Sequence, residues 1–261
     1  MTTEEGLQKR DQLIRDGYCV IDNVLSEPFI EELRAESDRL LDGVTHPPEW
    51  QYQGSDLHVK GQDNPIIQKL MDWQPTWDAM HALGLNDFKS HGGFIILSKP
   101  PGGPPLYWHQ DWMNWNDPIS MAPWPQVLFF SYYLIDTTVE NGCFRVMPGT
   151  HMKRTPLHDQ VAMAHQETAY FSDINDPIMF GDHPGAIDVP AKVGTLVLGE
   201  GRVFHAARAN HSNHRRTLLL GWHARPNTVP DYWTGSIPEP ILNRSEEQPY
   251  ESTRIPGEYL V

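Results

Sequence analysis

Cysteine is scarce in this 261-residue chain, which has only Cys19 and Cys143. Two thiols cannot build a disulfide framework, and neither has the neighbouring sulfur ligands of a structural zinc site. Both lie among apolar residues and read as buried thiols in a reducing compartment. Long apolar runs are missing too. Phe94-Ile95-Ile96-Leu97 is typical of the longest, far short of the ~20 residues that span a bilayer. The opening Met1-Thr2-Thr3-Glu4-Glu5 is acidic and lacks a secretory-type apolar stretch. The expectation is a cytoplasmic protein. Positive charge is also short, with 20 Lys and Arg against 34 Asp and Glu, a net charge of -14. That balance argues against nucleic acid or an anionic membrane as partner.

Aromatic residues make up 10% of the chain and apolar residues 39%, enough to build a core and unlike a disordered chain. The first third patterns as helix. Thr3 to Asp16 follows a capping threonine, and Tyr18, Val20 and Ile21 make a short strand. Ser26-Glu27-Pro28 then opens a second helix, which Gly43 ends. Residues 44–62, rich in Pro, Gly, Gln and His, read as loop. Pro65 to Leu83 repeats Ile66, Leu70, Trp73, Trp77 and Met80 at helical spacing, interrupted by Pro75.

Beyond residue 90 the pattern changes to short apolar segments separated by turns: 93–98, 105–110, 127–135, 143–147, 194–198, 202–205 and 216–224. These predict a mainly β sandwich or barrel with helices outside. The chain reads as one domain over 1–261. Its parts are a helical preface over about 1–88, a β core over about 90–225, and a long polar insertion over about 153–190.

Leu106-Tyr107-Trp108-His109-Gln110-Asp111 ends one of these strands. Side chains alternate along a strand, so His109 and Asp111 face one side and Gln110 the other. One imidazole and one carboxylate aimed at a common point are two thirds of a facial triad, which holds iron(II) with positions left open. His205 is the expected third ligand. It follows Gly194-Thr195-Leu196-Val197-Leu198 and a Gly199-Glu200-Gly201 turn that returns the chain to the same end; His211 and His214 are the alternatives. Arg216 opens the apolar strand 216–224. An arginine turned into a barrel needs an anion, and a dicarboxylic cosubstrate supplies one.

In these segments the chain resembles the phytanoyl-CoA dioxygenase family of iron(II)- and 2-oxoglutarate-dependent oxygenases. His109-Gln110-Asp111 is similar to its proximal ligands. The stretch from Glu140 to His151, ENGCFRVMPGTH, is similar to its NGxxxxxPGSH stretch, and Gly194-Thr195-Leu196 precedes His205 as it precedes the distal histidine there. Arg216 stands eleven residues after His205, the family spacing for the arginine that grips the cosubstrate's far carboxylate. The resemblance runs from about Gly17 to Trp222. It implies a double-stranded β-helix core (jelly roll, cupin-like) with N-terminal helices packed outside. It also implies iron(II) and 2-oxoglutarate as cofactors, and dioxygen with a small molecule as co-reactants.

By the same resemblance Ile95 flanks the cosubstrate, Phe130 forms an aromatic wall against it, and Lys60 meets one of its carboxylates. Gln110 and Thr217 are counted with the cosubstrate residues. Thr217 is proposed because Ala207 stands where the family often has a hydroxyl side chain. The presence of Asp111 speaks against the iron halogenases, which lack that carboxylate. The substrate is expected over the His109–Asp111 edge, near Trp112, Met113, Trp115, Gln126, Arg145 and Arg208.

The expected reaction is hydroxylation of a small organic metabolite with release of succinate and carbon dioxide. Desaturation, cyclisation and epimerisation are alternatives with the same cofactors. A cupin-like binding protein without turnover is the alternative from another class.

Overall fold

Thr2 starts the molecule's first helix with a reciprocal cap. Its hydroxyl accepts from the Glu5 amide, and the Glu5 carboxylate accepts from the Thr2 amide. This helix, α1 (Thr3–Asp16), ends at Gly17, whose φ of 82° suits glycine. The computed structural model describes residues 1–44, 55–112, 114–162, 164, 167–170, 172–226, 229–245 and 247–250. Strand β1 (Tyr18–Ile21) and helix α2 (Glu27–Leu41) follow as expected. The predicted third helix divides into α3 (Pro65–Met71) and α4 (Gln74–Ala82). Asn64 caps α3 through its side chain, and Pro75 sits in the first turn of α4, the one place where its missing N–H costs nothing.

The β core is two antiparallel sheets that face each other. The larger runs in the order β1, β9 (Leu196–Glu200), β6 (Val127–Tyr133), β11 (Arg216–Ala224), β4 (Gly93–Lys99), β2 (Ser55–Lys60), and β3 (Lys89–Ser90) also pairs with β11. The smaller runs β5 (Leu106–His109), β10 (His205–Ala207), β7 (Phe144–Val146), β8 (Ile187–Val189). Their facing sides share one apolar cluster, including Ile95, Leu97, Phe129, Tyr133, Phe144, Val146 and Leu218. This is the double-stranded β-helix with helices outside, built as two open sheets.

Alternation decides what each residue of the larger sheet does. On β6, Phe129, Ser131 and Tyr133 face the smaller sheet, while Leu128, Phe130 and Tyr132 face the helices. There they meet Leu13, Phe29, Leu33, Ile67, Leu70 and Met80 in the largest apolar cluster. On the outer side of the smaller sheet, Trp108 and the neighbouring Phe204 pack against Leu157, Val161 and Met179.

Three segments depart from the sequence expectation. Residues 55–60, read as loop, form β2, an edge strand paired with β4. Leu57 and Val59 pack on the core, and the alternate Asp56 and His58 line the cavity described below. The insertion over 153–190 supplies β8, with α5 (Glu167–Tyr170) and α6 (Pro177–Phe180) before it. The strand expected over 202–205 begins instead at His205, because Arg202 turns back to bind a neighbouring loop.

Candidate metal centre and active-site cavity

His109 and His205 are register partners on β5 and β10. That pairing brings their rings to a centroid separation of 4.1 Å. Each imidazole is oriented by its own strand: His109 Nδ1 lies 2.9 Å from the Tyr107 carbonyl and His205 Nδ1 lies 3.1 Å from the Val203 carbonyl. A carbonyl can only accept, so Nδ1 carries the proton and Nε2 presents its lone pair inward. Asp111 completes the group. Its Oδ1 is 3.5 Å from His109 Nε2 and its Oδ2 is 3.7 Å from His205 Nε2. One donor atom from each of the three lies within 4.8 Å of the others. Two imidazoles and one carboxylate in this arrangement fit iron(II). Trp222 on β11 donates its indole N–H to Asp111 Oδ2 at 2.8 Å. Phe129 packs on His205 with centroids 4.7 Å apart. Gly199, opposite Phe129 on β9, makes room for that ring, since a Cβ there would come within 1.9 Å of it.

The triad opens into a cavity of about 620 Å³ between the sheets. At one end stands Arg216, 2% exposed, with Nε and Nη2 lacking any hydrogen-bond partner. Tyr133, Leu218, Phe144 and Ala207 line the cavity near it. Burial lowers its pKa, and no carboxylate offsets that. In register across β4 is Lys99, fully buried, whose Nζ donates to the Arg208 carbonyl at 2.8 Å. Burial first, and then the charge of Arg216, hold Lys99 well below the ordinary lysine pKa. A buried guanidinium is costly unless an anion joins it. Orphaned guanidinium N–H groups facing a cavity therefore suit a carboxylate.

The other end of the cavity is its mouth, with Asp56 and His58 from β2, His91, and Trp112 and Asn114 from the loop after β5. That loop is clasped to the turn before His205. Trp112 N donates to Gly201 O at 2.8 Å, and Gln110 Nε2 donates to Arg202 O. The buried Arg202 guanidinium donates to the carbonyls of Ser120, Ala122 and Trp124 while paired with Glu200.

Several expected residues are in this cavity and others are not. His109, Asp111, His205, Arg216, Ile95 and Trp112 line it. His211 and His214 are exposed and lie outside it. Phe130 faces the helices and stacks on His223 at 3.7 Å, and the phenylalanine of β6 that lines the cavity is Phe129. Thr217 also faces away, 3.4 Å from Ser98 Oγ. The hydroxyls lining the cavity belong to Ser131, Tyr133 and Tyr107. Lys60 is exposed at the end of β2. Gln110 is spent on Arg202 O. Trp115 and Gln126 are buried but outside the lining, and Met113 falls outside the described residues. Arg145 and Arg208 are on the outer side of the smaller sheet, where both meet Asp182 and Asp188. Residues missed from sequence include Lys99 and Trp222. Trp222 had a signal in the sequence, since it shares the even-numbered face of β11 with Arg216, whereas Lys99 is tied to Arg216 only by strand register.

The model of the phytanoyl-CoA dioxygenase family matches residues 13–218. A probable alpha-ketoglutarate-dependent hypophosphite dioxygenase of Stutzerimonas stutzeri is 30% identical over 242 residues, covering 88% of this chain and 70% of that protein. An ectoine dioxygenase of Nocardia farcinica is 24% identical over 249 residues, covering 89% and 83%. Among solved structures, the non-heme alpha ketoglutarate dependent epimerase SnoN from nogalamycin biosynthesis superposes with a TM-score of 0.62 at 17% identity, covering 98% of this chain and 97% of that one. Among the described residues no helix is long and apolar enough to cross a membrane. The chain belongs to the phytanoyl-CoA dioxygenase family, and it is a 2-oxoglutarate-dependent non-haem iron dioxygenase.

Proposed function

We propose that His109, Asp111 and His205 hold the iron, that Arg216 takes the far carboxylate of 2-oxoglutarate, and that an organic substrate enters past Trp112 and Asn114 to be hydroxylated. The observation that carries this reading is the shared cavity. The three donor groups and the buried, unpartnered Arg216 open into one space. When bound, iron(II) with 2-oxoglutarate supplies oxidising power, one oxygen atom leaving in succinate and the other entering the substrate.

The chain's own residues bind, orient and keep the centre dry. His109 and His205 present Nε2 because backbone carbonyls hold Nδ1. Arg216 neutralises the far carboxylate, and the Tyr133 hydroxyl, its pKa pushed up by burial, stays a neutral donor beside it. Leu97, Phe129, Phe144 and Leu218 exclude water around the reacting end. The mouth, with one carboxylate, two imidazoles, an amide and an indole, suits an uncharged or cationic organic molecule. It suits an anion such as the hypophosphite named for the 30% identical relative less well. We read residues 1–261 as a single catalytic domain, because β1 at residue 18 and β11 at residue 224 share one sheet. We place the protein in the cytoplasm, which fractionation of cells expressing it tests.

The central test is a pair of titrations under nitrogen, iron(II) first and 2-oxoglutarate second. His109→Ala, Asp111→Ala and His205→Ala should each lose most iron affinity. Undiminished binding in the His205 variant would remove it from the site. Screening iron-loaded protein for compounds that accelerate 2-oxoglutarate consumption, with hypophosphite included, tests the substrate class. Product analysis separates hydroxylation from epimerisation or cyclisation.

A further inference from the structure

The three members of the triad are oriented in two different ways. Each imidazole is held by a carbonyl two residues earlier in its own chain segment. The carboxylate is held by a side chain from the opposite sheet: Trp222 of β11 donates Nε1–H to Asp111 Oδ2 at 2.8 Å. A carboxylate has two oxygens and can ligate a metal through one or both. Here the indole N–H engages Oδ2, which lies 3.7 Å from His205 Nε2, while Oδ1 lies 3.5 Å from His109 Nε2.

We propose that Trp222 is the positioning residue that fixes Asp111 as a one-oxygen ligand, so that the second carboxylate oxygen does not take one of the metal's open positions. The proposal rests on the reading of His109, Asp111 and His205 as the iron site. A facial triad works by leaving positions free, and a two-oxygen carboxylate would fill one of them. The fold makes the contact firm. Trp222 pairs with Phe129 across β11 and β6, and Phe129 packs on His205. One pair of adjacent inward side chains on the larger sheet therefore braces two of the three ligands on the smaller sheet. Trp222 also lines the cavity, so the face that meets substrate belongs to the side chain that holds the ligand.

The test begins with Trp222→Phe, which keeps an aromatic ring and loses the N–H. Iron(II) titrated under nitrogen should bind about 10–100-fold more weakly, the usual cost of losing a group that orients a metal ligand. Trp73→Phe loses an indole N–H outside the cavity, the one given to the Val24 carbonyl at 2.8 Å. It should keep iron affinity within about threefold of the parent. Cobalt(II), whose visible absorption reports coordination number, should give a changed spectrum in Trp222→Phe and the parental spectrum in Trp73→Phe. Should Trp222→Phe fail to fold, the indole N–H resonances of the nitrogen-15-labelled parent serve instead. One should stay protected from exchange when zinc(II) is added and move in Asp111→Asn. Parental iron affinity and cobalt spectrum in Trp222→Phe, or no indole resonance that depends on Asp111, would overturn the proposal. Iron binding that survives His109→Ala would instead overturn the triad assignment, and the proposal with it.

Discussion

Arg216 and Arg145 are both buried, 2% and 3% exposed, yet their surroundings are opposite. Arg145 sits on the outer face of the smaller sheet beside Asp182 and Asp188, with its guanidinium 4.8 Å from the Trp108 ring centroid. Arg216 faces the cavity with no carboxylate beside it, and two of its N–H groups have no partner. A buried charge that the fold itself neutralises is part of the structure. One left for something else to neutralise marks where a ligand goes. Arg202 belongs with Arg145, since it is matched by Glu200 and three carbonyls.

The largest effect should come from Arg202. Replacing it with Met leaves Glu200 buried without its cation and frees three carbonyls, and losing one partner of such a pair costs about 3–5 kcal/mol. Denaturant unfolding measures this, and a loss below about 1 kcal/mol would put Arg202 among the minor surface pairs. Next comes Arg216, where ligand binding and stability should separate. Arg216→Met should weaken 2-oxoglutarate binding at least ~100-fold, the scale of losing hydrogen bonds to a charged group. It should leave the melting temperature of the cofactor-free protein unchanged or higher. Arg145→Met should do the reverse, lowering the melting temperature and leaving 2-oxoglutarate affinity alone. If both variants behaved alike, the distinction between matched and unmatched arginines would fail.

A third expectation concerns pH. Burial against Phe130 and Trp77 lowers the His223 pKa to about 3, from an ordinary value near ~6.5. The folded protein then binds fewer protons than the unfolded chain between those values. The stability His223 contributes is full above pH ~6.5 and is lost as pH falls toward 3. Burial shifts His151 and His158 the same way. Between pH 6.5 and 5 the loss from His223 should reach about 1–2 kcal/mol, and His223→Leu should flatten the slope. The smallest effect belongs to Arg208, half-exposed in its pairs with Asp182 and Asp188. Arg208→Gln should cost no more than about 1 kcal/mol and leave cosubstrate affinity unchanged.

The contrast between the two arginines also shows where reading the sequence stops. Arg145 follows Cys143-Phe144 in a strand and looks as available to a ligand as Arg216 does. Only the arrival of β8, from a segment that patterns as insertion, supplies Asp188. Phe130 and Phe129 differ by one position, and a strand places neighbours on opposite faces. Two adjacent phenylalanines carry no local signal of which faces inward. β2 is another such case. Its Leu57 and Val59 alternate with Asp56 and His58, but four residues of that pattern beside a Pro- and Gln-rich stretch resemble loop until β4 offers its edge.

The sequence by itself determined the metal chemistry and the helical layer. A histidine and an aspartate two apart on a strand must face the same way, and caps, prolines and apolar spacing act within one segment of chain. The tertiary structure decided the rest: that His205 stands in register with His109, that Trp222 reaches Asp111 and Phe129 packs on His205, and which buried arginine is matched. Those outcomes depend on strand register and on partners far along the chain, as Trp222 is from Asp111. No local pattern fixes such pairings, because the free energy that selects them comes from burying the two sheets against each other.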